Sequence, residues 1–280
     1  MIGSRVGVVA SALAALIATA AYAGDEPFPR GVHQGRAYRL YVPPAPAAAA
    51  RPLVVALHGC SQTPEDFALG TRLNRAAGRR GLRVLYPAQG PFDNPARCWN
   101  WFAVQNQRAA GGETGEILTL VREVQRAQAA TDSRVVVLGF SAGGYMAVNL
   151  ACAAPDLVVG VGVSAGGPYH CAESAFGAVA CMRGERLDGV AAAVQCTAVT
   201  GKAPTPRVAL WHGDGDSVVS PANHTALVAM FTRLHGSPAR IQTRLVPGMG
   251  HAWSGGDPRG THTFPAGPDA TEEMLEFLVR

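Results

Sequence analysis

Short runs rich in β-branched and aliphatic residues recur along this chain, and some are apolar at nearly every position: Leu53 to Leu57 reads Leu-Val-Val-Ala-Leu, and Val-Val-Val-Leu-Gly follows Arg134 in Arg134 to Gly139. A strand with one face in water alternates apolar and polar residues; an unbroken apolar run belongs to a sheet covered on both faces. Ala37 to Val42, Arg83 to Tyr86, Val158 to Val163, Arg207 to Trp211 and Ile241 to Val246 extend the series. Helical stretches separate them. Thr63-Pro64 opens one over Glu65 to Arg79, and Ser220-Pro221 opens another over Ala222 to His235 that Gly236 ends. Proline suits the first helical turn and glycine the exit. Gly115 to Ala130 places Ile117, Leu120, Val121 and Val124 on one stripe, and a last helix runs from Asp269, with Glu272 as its capping partner, to Val279. Strand and helix in alternation predict an α/β fold, a mostly parallel sheet with helices on both faces. A chain of 280 residues can build one such core.

One segment interrupts the rhythm. Gly166 to Pro206 lies between two strands, carries three cysteines, and is too long for an ordinary connection; it is expected to be a cap-like insertion in a single domain spanning 24–280. Residues 1–23 open with Arg5, continue through Val, Ala, Leu and Ile, and end Ala21-Tyr22-Ala23, the layout of a cleavable signal peptide. No later segment is apolar enough to cross a membrane, so a secreted, soluble protein without stable membrane association is expected, extracellular or periplasmic. In that compartment Cys60, Cys98, Cys152, Cys171, Cys181 and Cys196 are read as disulfide formers. Cys60 with Cys98 is the first expected bond. Cys152, in a helix expected to be buried, is read as a free thiol acting as a small hydrophobe. There is no Cys-x-x-Cys spacing for a metal.

The 24 basic residues, all arginine except Lys202, face 20 acidic ones and form no run, so nothing points to a nucleic-acid partner. Gly201-Lys202 lacks the remainder of a phosphate loop, and no dinucleotide fingerprint follows a first strand, so no cofactor is implied.

Gly139-Phe140-Ser141-Ala142-Gly143 follows the strand ending at Leu138 and runs into a helical stretch, Gly144 to Ala154. That is a nucleophile elbow, in which flanking glycines let a serine sit on a sharp strand-to-helix turn. A serine hydroxyl needs a base, and the base needs an acid, in the chain order Ser, Asp, His. Asp216, in the turn after Arg207 to Trp211, is the expected acid, while Asp214 shapes that turn. The Asp-x-Asp pair lacks the remaining ligands of a calcium loop. His251, on the glycine-rich loop after Ile241 to Val246, is the expected base, with His262 as the fallback. Backbone N–H groups of Cys60 and Ala142 are the expected oxyanion donors, and His58 is read as a turn histidine. Core packing accounts for at least one tryptophan of Cys98-Trp99-Asn100-Trp101-Phe102; the other, with Trp253, is read as an apolar wall for an acyl chain. Trp99, Trp101 and Trp253 are therefore the candidate substrate contacts.

Four segments, Leu57-His58-Gly59-Cys60-Ser61-Gln62, Arg97-Cys98-Trp99-Asn100-Trp101-Phe102, Ala165-Gly166-Gly167-Pro168-Tyr169 and Gly250-His251-Ala252-Trp253-Ser254-Gly255-Gly256, resemble the secreted short-chain-length polyhydroxyalkanoate depolymerases and their esterase relatives. The resemblance covers most of the chain after the leader. It implies an α/β-hydrolase fold, a Ser-His-Asp triad at the residues above, an oxyanion donor at Cys60, and 3-hydroxybutyrate esters as substrate, polymer or oligomer. A monomer is expected. Many such depolymerases continue into a linker and a polymer-binding domain, whereas this chain ends at Arg280, which directs the expectation towards oligomers, amorphous polymer or small esters. Feruloyl and acetylxylan esterases have similar catalytic domains and are the alternative.

Overall fold

The computed structural model describes residues 28–45, 51–131 and 133–280. The expected leader, residues 1–23, lies outside them. Eight strands form the main sheet: β1 (Arg30–His33), β2 (Arg36–Tyr41), β3 (Leu53–Leu57), β4 (Val84–Pro87), β5 (Val135–Phe140), β6 (Val158–Ser164), β7 (Arg207–Gly213) and β8 (Ile241–Val246), in the spatial order β1-β2-β4-β3-β5-β6-β7-β8. The β1–β2 and β2–β4 pairs are antiparallel; all pairs from β4 to β8 are parallel.

Strand periodicity divides the core into two layers. Leu53, Val55 and Leu57 of β3, with Val135 and Val137 of β5, face α3 (Gly112–Ala127), α4 (Ala142–Ala153), α6 (Gly189–Thr200) and α7 (Ala222–His235). Val54, Ala56, Val136 and Leu138, the alternate positions, face α1 (Pro64–Thr71), α2 (Leu73–Gly78) and α8 (Ala270–Leu278). Burial on both sides explains why these strands read as continuous apolar runs, each large side chain stabilising the fold by about 1.5–3 kcal/mol.

The chain leaves β3 towards β4 on one side and returns to β5 on the other. The crevice at the carboxyl ends of β3 and β5 is therefore a topological switch point, where open α/β sheets place their ligands.

The helix expected over Glu65 to Arg79 is divided at Arg72, which adopts a left-handed conformation at φ 55°. The division has a tertiary cause: the Gly70 carbonyl accepts from the Asp257 N–H at 2.8 Å, so it does not serve the next helical turn. Thr63 caps α1 through its side chain and Asp269 caps α8 by accepting from the Glu272 N–H at 3.0 Å.

Gly166 to Pro206 folds as α5 (Ala175–Met182) and α6. Gly189, Ala192 and Ala193 bury the small-residue side of α6, which packs against α4 and α7. Three disulfides form: Cys60–Cys98, as expected, Cys171–Cys181 within the insertion, and Cys152–Cys196. The last corrects the free-thiol reading of Cys152. Burial there is real, but its neighbour is the sulfur of Cys196, 44 residues away on α6, a helix that Asp188 caps by accepting from the Val190 and Ala191 N–H groups. Closing the 38- and 44-residue loops of Cys60–Cys98 and Cys152–Cys196 stabilises the fold by about 3–4 kcal/mol each in the chain-entropy account. No helix among the described residues is long and apolar enough to cross a membrane.

Candidate active site

Ser141 is the hinge between β5 and α4, with φ 53° and ψ −122°. That strained backbone aims the side chain off the end of the sheet. The two glycines exist because there is no room for anything else: a Cβ at Gly143 would meet the carbonyl oxygens of Leu57 and His58, and one at Gly139 would strike the backbone of Gly143 and Gly144.

From the carboxyl ends of β7 and β8 come the acid and the imidazole. The Ser141 hydroxyl lies 2.9 Å from His251 Nε2, and His251 Nδ1 lies 2.8 Å from Asp216 Oδ2. A carboxylate only accepts, so Nδ1 carries the ring proton and Nε2 accepts from the serine hydroxyl. The other carboxylate oxygen of Asp216, Oδ1, accepts from the N–H groups of Val218 and Val219, both at 2.9 Å. Burial would raise the Asp216 carboxyl, but hydrogen bonds from His212 and His251, with the His251 charge and the Val219 N–H, outweigh it and hold the group well below the usual carboxylate range. His251 rests on the Phe140 ring, centroids 4.9 Å apart.

His212 was not singled out from sequence. Its ring nitrogen Nε2 stands 2.8 Å from the Val219 carbonyl and 3.3 Å from Asp216 Oδ2, so it is a donor that braces the acid. The signal was available: His212 and Asp216 bracket the same glycine-rich turn.

Across the crevice, His58 Nε2 accepts from the Gln89 N–H at 3.1 Å, which leaves Nδ1–H to donate to the Gly59 carbonyl at 2.7 Å. The His58 carbonyl accepts from Trp99 Nε1–H at 3.1 Å. Among the described residues no hydrogen-bond acceptor serves the N–H of Cys60 or of Ala142. Cys60 follows this braced turn and is tied to Cys98; Ala142 begins α4.

Trp99, Trp101 and Trp253 are 0%, 5% and 2% exposed. This corrects their reading as an open acyl wall. Trp99 packs beneath the Cys60 turn, Trp101 stacks on Tyr145 at 3.9 Å, and Trp253 meets Phe67 edge-on while its Nε1–H donates to Thr271. The Trp99 and Trp253 N–H groups are paired within the protein and the Trp101 face is stacked, so these indoles serve the core. Among the described residues no three His, Cys, Asp or Glu side chains converge as a metal site.

Burial pushes His58 and His224 down to about 4, from about 6.5 in an unfolded chain. Between these values the unfolded chain binds more protons, so stability from the neutral rings is complete above about pH 6.5 and drains away as pH falls through about 4. Urea midpoints measured from pH 7 to 4 should decline across this window; a flat profile contradicts the buried neutral state.

A mostly parallel sheet with helices on both faces and a serine at the β5–α4 elbow defines an α/β-hydrolase. The chain belongs to the Esterase PHB depolymerase family, whose pattern matches residues 36–246. It is 34% identical to poly(3-hydroxyalkanoate) depolymerase C of Paucimonas lemoignei over 210 residues, 74% of this chain and 50% of that one, so the match spans about half of that relative's length. Feruloyl esterase B of Thermothelomyces thermophilus is 28% identical over 71% of this chain and 70% of its own. The fold is similar to that of the acetyl xylan esterase from Aspergillus awamori, TM-score 0.73 at 21% identity, covering 89% of this chain and 99% of that one.

Proposed function

We propose that the chain is a secreted serine esterase that hydrolyses the ester bonds of poly(3-hydroxybutyrate) or its short oligomers. The observation that carries the reading is the hydrogen-bonded row Ser141–His251–Asp216. Ser141 Oγ attacks the ester carbonyl while His251 Nε2 takes its proton, and Asp216 keeps the imidazole oriented and supports its positive charge. The oxyanion is met by the N–H groups of Cys60 and Ala142. His251 returns the proton to the departing alkoxide, and a water molecule, activated in the same way, releases the acid from Ser141. The resemblance to the Paucimonas depolymerase supports the polyester substrate, and three disulfides fit an oxidising destination reached through the leader at 1–23.

A substrate panel tests the reading: poly(3-hydroxybutyrate) film, its soluble dimer and trimer, and methyl ferulate with an acetylated xylan. The dimer and trimer should be cleaved faster than either carbohydrate-type ester. The reverse order would replace the polyester reading by the carbohydrate-esterase one, which the likeness to feruloyl esterase B favours.

A further inference from the structure

Two polar residues at the mouth of the site have no place in the chemistry above. Ser61 and His262 both hold positive φ, 64° and 52°, conformations that cost a side-chain-bearing residue about 1–3 kcal/mol unless the surroundings enforce them. The enforcement is visible. The Ser61 N–H donates to the Ala96 carbonyl at 2.7 Å, and the His262 carbonyl accepts from the Trp253 N–H at 2.7 Å, where Trp253–Ser254 pairs with Thr263–Phe264. Asp66 then ties the two turns together, accepting from Gln62 Nε2 at 2.9 Å, from the Thr261 N–H at 2.9 Å, and from the Thr261 hydroxyl.

The result is a second imidazole beside the first. His262 Nε2 lies 3.5 Å from Ser61 Oγ, its ring centroid is 6.3 Å from that of His251 and 5.9 Å from that of Phe140, and the side chain is open to solvent. Ser61 already donates its proton to the Cys60 carbonyl at 2.6 Å, so its oxygen is only a long acceptor, 3.5 Å away, for the Nε2–H of His262, which it orients until a closer carbonyl takes that single donor over. Partial burial, together with the neighbouring His251, lowers the pKa of His262, which favours a neutral ring with one N–H to donate.

Position decides what that N–H meets. The leaving oxygen must sit next to His251 Nε2 to receive its proton, so a group flanking His251 at the mouth flanks the alcohol half of the ester. In a 3-hydroxyalkanoate chain the alcohol half has a chemical mark that a simple alcohol lacks: a carbonyl separated from the leaving oxygen by two carbons. We propose that His262, steadied by Ser61, forms a leaving-group subsite that hydrogen-bonds this next carbonyl and so selects 3-acyloxy esters over esters of plain alcohols. This rests on the polyester reading above and adds to it a residue that recognises the repeat.

The experiment compares two esters with the same acyl half: the methyl ester of the linear 3-hydroxybutyrate dimer, and sec-butyl 3-hydroxybutyrate, from whose alcohol half the carbonyl is missing. The quantity read is the ratio of their kcat/KM values. His262→Phe keeps a ring but removes the donor and should lower the ratio about 10-fold, the effect of one lost hydrogen bond. His262→Gln retains a donor and should recover part of it. Ser61→Ala, a change on the opposite turn, should lower the ratio about threefold and decides the matter if His262→Phe does not fold. Ratios unchanged in the folded variants overturn the subsite while leaving the polyester reading in place. Wild-type enzyme that cleaves methyl ferulate but neither 3-hydroxybutyrate ester overturns both.

Discussion

Ser141→Ala should lower kcat on a short p-nitrophenyl ester by on the order of a million-fold, leaving a residual rate that reflects binding and oxyanion donors alone. No neighbouring group can stand in. Ser61 Oγ is turned to the Cys60 carbonyl, and Ser164 is fully buried within β6. Because Ser141 is 7% exposed and makes few packing contacts through one oxygen, the variant should melt close to wild type. Steady-state rates and a thermal melt on the same preparation check both halves. Wild-type-level hydrolysis by the alanine variant would remove the nucleophile from Ser141.

Asp216→Asn should lower kcat by about ten-thousand-fold, for a reason specific to this turn. Val218 and Val219 both point N–H groups at Oδ1, so the amide oxygen of asparagine is drawn there and its NH2 is left facing His251. Two donors cannot pair. His251 must then shed the proton at Nδ1 and hold it at Nε2, the atom that has to accept from Ser141. The His212 donor at 3.3 Å from Oδ2 adds a second conflict with the same NH2 group. The loss should appear mainly in kcat, with KM for the short ester changing far less. An equal fall in binding with little change in turnover would contradict this account.

The sheet was legible because its burial is symmetrical. Strands covered on both faces leave an unbroken apolar signature, and β3, β6 and β7 begin where the sequence places them. The elbow was legible for a similar reason: Gly139 and Gly143 are required by backbone atoms within reach, and a steric demand of that kind writes itself directly into residue type. What was not legible depends on partners distant in sequence. Nothing around Arg72 announces a helix break, since its cause is the Asp257 N–H. Cys152 looked like a hydrophobe because the helix that brings Cys196 to it is small-residue-rich and weakly amphipathic. The tryptophans were misread because aromatic clustering looks alike whether it lines a cleft or fills the space beneath one; only Trp101 stacked on Tyr145, and Trp99 donating to the His58 carbonyl, distinguish the two. His212 differs from these: its place at the start of the turn that ends in Asp216 is legible in the sequence, and only its donation to the acid needs the structure.

Asp66 holds the turn that carries Cys60 and the segment that carries His262 through a single carboxylate. Gln62 adds direct bonds to the Thr261 carbonyl and hydroxyl, so the two banks of the cleft are moored to each other more than once. An engineer who wishes to widen the entrance for a bulkier polyester has to redesign both banks together, because neither can move while the other keeps its moorings.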